Sequence, residues 1–216
     1  SDTGAIHSMN VAGRAYRSIW PIEGHSVAVI EQRQLPHEFV VAQLDTWEQA
    51  ASAIHGMQVR GAPLIGATAA YGVALAMNQF ERGDASGSGA DAAAYLDLTC
   101  EALLSTRPTA VNLRWALQRM RRVLDAAMPD RCAAAAWREA AAICDEDVAL
   151  YRAIAALGRA PLRGLAERQG SVQVLTHCNA GWLATVDGGT ALAPVYAAFD
   201  TGIDVHVWVS ETRPRN

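Results

Sequence analysis

There is no lysine in this chain of 216 residues, so each of its 18 basic side chains is an arginine. That excludes a Schiff-base lysine and a phosphate-loop lysine within it. The four cysteines, Cys100, Cys132, Cys144 and Cys178, form no CxxC pair, and three of them fall in Ala-rich helical sequence. Reduced intracellular thiols are therefore expected in place of a disulfide framework. No apolar run approaches the roughly 20 residues that span a bilayer. The start, SDTGAIHSMNVAG, lacks the basic and apolar regions of a secretory signal. These absences point to a cytoplasmic protein, with Met9-Asn10 reading as an alternative start after a short extension. His7, His25, His37 and His55 have no metal-ligand spacing, and no GxGxxG follows a strand, so neither a metal nor a dinucleotide is expected. With a net charge of -4 and no dense basic run, nucleic acid and anionic membranes are not expected partners, although one or two arginines could hold a single anion.

What is present is a folding composition, 51% hydrophobic and 19% charged. The short runs YRSIW, SVAVIEQ and EFVVAQL, punctuated by PIEGH and RQLPH, predict a small antiparallel sheet. Asp45 then opens a helix in capping-box relation to Glu48, ending near Gly56. Pro63 starts a second, buried helix whose Gly66, Ala67, Ala69, Ala70 and Gly72 make a face that another backbone can approach. After a loop from Glu81 to Asp91, three helices are expected: Asp91 to Ser105, Thr109 to Ala127, and Asp130 to about Leu157. Beyond Ser171, VQVLT and IDVHVWVS read as parallel strands flanking a segment of helical pattern, LATVDGGTALAPVYAAFDTG. Two strands alone cannot make a covered parallel sheet, so this sheet reads as incomplete. The expected fold is mixed α/β: a small antiparallel sheet plus helical N-terminal domain over residues 9–165, then the start of a Rossmann-like parallel domain over 170–216.

Three stretches could carry chemistry. Both expected parallel strands end in polar loops, THCNAG (Thr176 to Gly181) and SETRPR (Ser210 to Arg215), on the rim where open α/β sheets bind ligands. Cys178 alone reads as a buried thiol at a strand end. His177 and Asn179 alongside, Gly181 letting a backbone approach, and the helix amides downstream favour a reactive one. His177 and Cys178, being adjacent, would point apart on a strand. In VRGAP, Arg60 and the helix start after Gly61 suit an anion, although Arg60 could equally be a solvated charge and Gly61 a turn residue. In TRPTAVN, Arg107 on spacing alone reads as a plain loop arginine. The acids of CDEDV look like a solvated helix face, with Asp145 or Asp147 able to line an interface.

Taken in order and spacing, VRGAPLIGATAAYGVALA, TRPTAVNLRWAL, LTHCNAGWLAT, GTAL and ETRPR resemble the 5-methylthioribose 1-phosphate isomerase family, relatives of the initiation factor 2B regulatory subunits. The resemblance runs from about Met9 to Asn216. It implies an aldose-ketose isomerase of methionine salvage that works without cofactor or metal on a sugar phosphate, in a homodimer. It also implies that Cys178 is the catalytic cysteine and that Arg60, Gly61, Ala62 and Arg107 bind substrate around its phosphate. The family's catalytic aspartate falls beyond Asn216, so this chain is expected to be a C-terminally truncated, inactive form. Ser210 stands where the family has Asp, which alters polarity near the site, and Trp182 stands where it has a small residue, which crowds the site. Rival readings are a ribose 1,5-bisphosphate isomerase-like enzyme and a non-catalytic regulatory or sugar-phosphate-sensing subunit.

Overall fold

A computed structural model describes residues 9–23, 25–84, 91–127 and 131–210. The chain divides into two compact units: one is Ile19–Asp145, and the other joins the start, up to Ser18, to the stretch from Glu146 onward. Its class is mixed α/β, as the sequence predicts. Among the described residues no helix is long and apolar enough to cross a membrane.

The first unit begins with the expected antiparallel sheet, β3 (Ile19–Ile22), β4 (Ser26–Ile30) and β5 (Val41–Leu44) in the order β3-β4-β5. Val29 lies opposite Ile19 on one side and Ala42 on the other, and SVAVI is buried along its whole length. The helix that follows, α1 (Trp47–His55), corrects the expected cap. Thr46 is the N-cap, its hydroxyl accepting from the Gln49 amide at 3.3 Å while Gln49 Oε1 accepts from the Thr46 amide at 3.2 Å. Two capping boxes overlap in DTWEQ, and tertiary partners choose between them. Asp45 is already occupied, accepting from Ser26 Oγ at 2.5 Å and Gln43 Nε2 at 2.7 Å, and Glu48 accepts from Gln79 Nε2.

The central helix is α2 (Ala62–Glu81), buried continuously from Leu64 to Met77, with Pro63 in its first turn. Its small residues do what the sequence suggests. A Cβ on Gly66 would stand 3.1 Å from the Asn112 carbonyl oxygen, and one on Gly72 would stand 3.3 Å from Ala50 and the Leu103 methyls. Around it pack α3 (Ala92–Thr106) and α4 (Val111–Asp125). The long helix α5 (Cys132–Gln169) corrects the expected end near Leu157, for it passes through Pro161 and stops only where Gly170 adopts φ +80°. Proline inside a helix costs about 3 kcal/mol, but the surrounding Ala, Leu and Arg residues favour helix strongly enough to carry it through. Residues 85–90 of the expected loop and Asp130 of the expected helix start lie outside the described residues.

The second unit holds the small hairpin β1 (Asn10–Val11) and β2 (Arg14–Ala15), the C-terminal part of α5, and a β-loop-α-β segment. Strands β6 (Val172–Thr176) and β7 (Val205–Val209) pair in parallel, Val172 opposite Val205 through Thr176 opposite Val209. The stretch between them is less helical than expected. A 3-10 turn at Trp182–Ala184 gives way to a loop, and α6 covers only Ala193–Asp200. The reason is the glycine pair, Gly188 and Gly189, both at positive φ. Helix α6 seats on α5 through Ala155, Ala193 and Ala197, and Pro194 packs where a side chain on Gly158 would stand. Leu175 (78% exposed) and Trp208 (57%) leave the two-stranded sheet with apolar surface in solvent.

Candidate functional site

Strand β6 ends at Thr176, and two residues later the chain turns sharply: Cys178 has φ +70°, in the left-handed region that non-glycine residues rarely visit. That conformation costs on the order of 1–2 kcal/mol. It also presents the side chain to solvent, since Cys178 is exposed whereas Cys100, Cys132 and Cys144 are buried. Packing therefore contradicts the quiet reading of Cys178 as a buried thiol. The two strand-end loops do meet, because His177 Nδ1 and Ser210 Oγ share a 2.5 Å hydrogen bond and the Ser210 amide donates to Thr176 O at 3.1 Å. His177 and Cys178 both lie past the end of β6, so strand alternation does not set their directions. The ETRPR segment, residues 211–215, lies outside the described residues.

Downstream the loop is bound to the segment before α6. Ala180 O accepts from the Thr190 amide at 3.0 Å, the Thr190 hydroxyl at 3.3 Å and the Leu192 amide at 3.4 Å. Trp182 O accepts from Ser18 Oγ, the Thr185 hydroxyl and the Thr185 amide. The sequence assigned Gly181 to a close backbone approach, and here the structure redistributes the roles. The glycine that admits backbone is Gly189, where a Cβ would sit 2.9 Å from the Gly181 carbonyl carbon; Gly181 admits the Tyr196 hydroxyl.

Asp147 is the group that sequence reasoning underused. On α5 it occupies the stripe Ile143, Asp147, Tyr151, Ala155, a spacing of four that places it on the buried side. Its Oδ2 accepts from the Val186 amide at 2.9 Å. Burial pushes the carboxyl up to about 6 despite that hydrogen bond. Burial, reinforced by the Asp147 charge, pushes the Tyr151 phenol up to about 12. The apolar period through CDEDV was the available signal.

The arginine stretches lie in the other unit. Gly61 is the N-cap of α2 at φ +103°, which only glycine adopts without strain, and it places half-buried Arg60 just before the helix start, with Ala62 exposed in its first turn. Arg107 closes α3, and its Nη1 is buried without a hydrogen-bond partner. A solvated loop arginine would not pay that desolvation, which an anion there would relieve. Contact between Gly66 and Asn112 sets the turn carrying Arg107 beside the first turns of α2. The fold thus brings VRGAP and TRPTAVN to one end of the helical unit, while Cys178 stands on the other unit.

Comparison with known proteins adds the following. The chain matches a model of the initiation factor 2 subunit family over residues 58–216. It is 55% identical over 216 residues to the methylthioribose-1-phosphate isomerase of Rhodospirillum rubrum, a match covering 96% of this chain and 53% of that protein. With the protein of the same name from Acidiphilium cryptum it shares 56% identity over 210 residues, covering 96% and 54%. Among solved structures it is similar to 5-methylthioribose 1-phosphate isomerase from Pyrococcus horikoshii, with TM-score 0.71 and 37% identity over 93% of this chain and 54% of that one. It is also similar to translation initiation factor eIF-2B subunit delta from A. fulgidus, with TM-score 0.73 and 35% identity over 92% and 55%. The chain spans about half the length of the curated relatives it matches. Identity at this level across nearly all of its residues means that the chain belongs to the initiation factor 2 subunit family.

Proposed function

We propose that the protein containing this chain is an aldose-ketose isomerase converting 5-methylthioribose 1-phosphate to 5-methylthioribulose 1-phosphate. The observation that carries the reading is an exposed Cys178 on a left-handed turn, in a chain 55% identical to proteins named for that activity. With phosphate on C1 the sugar ring must open before hydrogen moves from C2 to C1, which requires an acid/base group at the sugar and a fixed phosphate. Cys178 serves the first need. Arg60, the Gly61-Ala62 helix start and Arg107 serve the second, the buried Nη1 of Arg107 being the clearest support. The chain spans about half the length of the relatives named for this activity, so the assay uses the full-length protein.

The same reading includes a cytoplasmic homodimer, domains at 9–165 and 170–216, and further parallel strands completing a Rossmann-like sheet over Leu175 and Trp208. The likeness to an eIF-2B subunit favours a second reading, a non-catalytic sugar-phosphate sensor. Turnover of the full-length protein with Cys178→Ser and Cys178→Ala separates them. The isomerase reading expects a loss of at least about a hundredfold in kcat with little change in KM. Unchanged turnover in both variants would sink the role of Cys178, and no turnover in the parent would favour the sensor. Competition by ribose 1,5-bisphosphate tests the choice of sugar.

A further inference from the structure

Gly181 raises a question that its own backbone does not answer. Its φ of -87° and ψ of -175° suit any residue, so conformation does not require glycine there. What requires it is Tyr196, on the first turn of α6, whose hydroxyl lies 2.8 Å from the place a Cβ would take. Burial pushes the Tyr196 phenol up, and the neighbouring backbone of Trp182 pulls it part of the way back. From the other side Gly189 closes onto the Gly181 carbonyl carbon, and the amides of Thr190 and Leu192 hold Ala180 O. Residues 180–182 are thus gripped between the 189–192 segment and Tyr196. Two residues upstream stands Cys178 at φ +70°, a strained conformation that persists only where its surroundings over-determine it. Upstream the turn is tied through His177 to Ser210; downstream this grip acts together with the hydrogen bonds from Ser18 and Thr185 to Trp182 O.

We propose that Tyr196 is a positioning residue for Cys178: its hydroxyl, seated against Gly181 and Trp182, holds the THCNAG turn in the form that faces the thiol outward. The consequence for catalysis rests on Cys178 being the reacting group, but the grip itself does not. A phenylalanine would fill most of the same space and remove only the oxygen that stands against Gly181, so the effect of the oxygen is separable from the rest of the packing.

The test uses Tyr196→Phe in the 216-residue chain and in the full-length protein. Hydrogen exchange should show the Thr190 and Ala184 amides, which donate to Ala180 O and Gly181 O, exchanging about tenfold faster. The rate-pH profile of Cys178 alkylation by iodoacetamide, selective because the other three thiols are buried, should change by threefold or more, with little change in melting temperature. In the full-length protein kcat should fall more than KM rises. A purely structural tyrosine would lower the melting temperature and leave exchange and alkylation alone, and that result overturns the proposal. Should Tyr196→Phe fail to fold, Gly181→Ala and Gly181→Ser decide: each should alter the alkylation profile, and an unchanged profile in both overturns it too. In the double variant Gly181→Ala, Tyr196→Phe the added methyl gains room, so the penalty of Gly181→Ala should shrink; an equal penalty with and without the oxygen refutes the contact. If exchange and alkylation move while Cys178→Ser keeps full turnover, the grip stands and the catalytic reading falls.

Discussion

Asp147 makes the protein's stability depend on pH in a direction opposite to that of most carboxylates. Burial is the dominant cause: it raises the carboxyl from 3.8 to about 6, against the Val186 amide that donates to Oδ2 and pulls the other way. The folded state therefore binds the proton more tightly than the unfolded chain. The associated stability is fully present below pH 3.8 and is lost as pH rises through about 6. At 1.36 kcal/mol per tenfold change in proton affinity, the difference is on the order of 3 kcal/mol. Tyr151 beside it stays neutral throughout, burial pushing its phenol up to about 12. Asp147→Asn keeps an oxygen for the Val186 amide and cannot ionise. At pH 8 the variant should be more stable than the parent by up to about 3 kcal/mol, or several degrees at roughly 2–4 °C per kcal/mol for a chain of this size. At pH 4 the two should converge. Glu31 and Asp45, whose carboxyls hydrogen bonds from Arg33 and Ser26 hold below the usual range, contribute equally to both proteins and cancel in the difference. Urea unfolding followed by tryptophan fluorescence between pH 4 and 8, at constant ionic strength, measures this directly. Parallel profiles, or a variant less stable at pH 8, would refute the argument.

Three further outcomes are expected. In the native chain one thiol should react promptly with iodoacetamide and Cys178→Ser should abolish it, because the others are buried; Cys100, pushed up to about 12 by burial, is thiolate in only about one molecule in 10,000 at pH 8. Gly189→Ala forces a Cβ to 2.9 Å from backbone at φ +76°, so chemical denaturation should show a loss of about 2 kcal/mol or more and Cys178 alkylation should change with it. Arg107→Met removes a buried nitrogen that has no hydrogen-bond partner, so stability should be unchanged or higher while calorimetry shows weaker binding of inorganic phosphate. A marked loss of stability in that variant would mean the guanidinium serves the fold and not an anion.

Local pattern alone was enough for most elements. β-branched runs between Pro and Gly turns produce β3, β4 and β5, and a stripe of Gly and Ala can only be useful on a helix as buried as α2. Periodicity also placed β6 and β7, and their polar ends marked the rim where His177 and Ser210 meet. Where two local solutions were nearly equal, sequence could not choose between them. Asp45 and Thr46 each head a capping box, and the choice fell to Thr46 because Ser26, distant in sequence, occupies Asp45. Helix α5 could have ended at Leu157 or crossed Pro161, and only the assembled chain shows that it crosses.

The candidate site divides along the same line. The resemblance carried by motif order and spacing singled out Cys178, Arg60, Gly61, Ala62 and Arg107, whereas residue type alone left Cys178 a buried thiol and Arg107 a plain loop arginine. Their presentation was decided by tertiary structure alone: the outward turn at Cys178, the unsatisfied Nη1 of Arg107, the burial of Asp147, and the exchange of roles between Gly181 and Gly189. Each depends on atoms that long-range packing brings within 3–4 Å, a scale at which sequence separation carries no information.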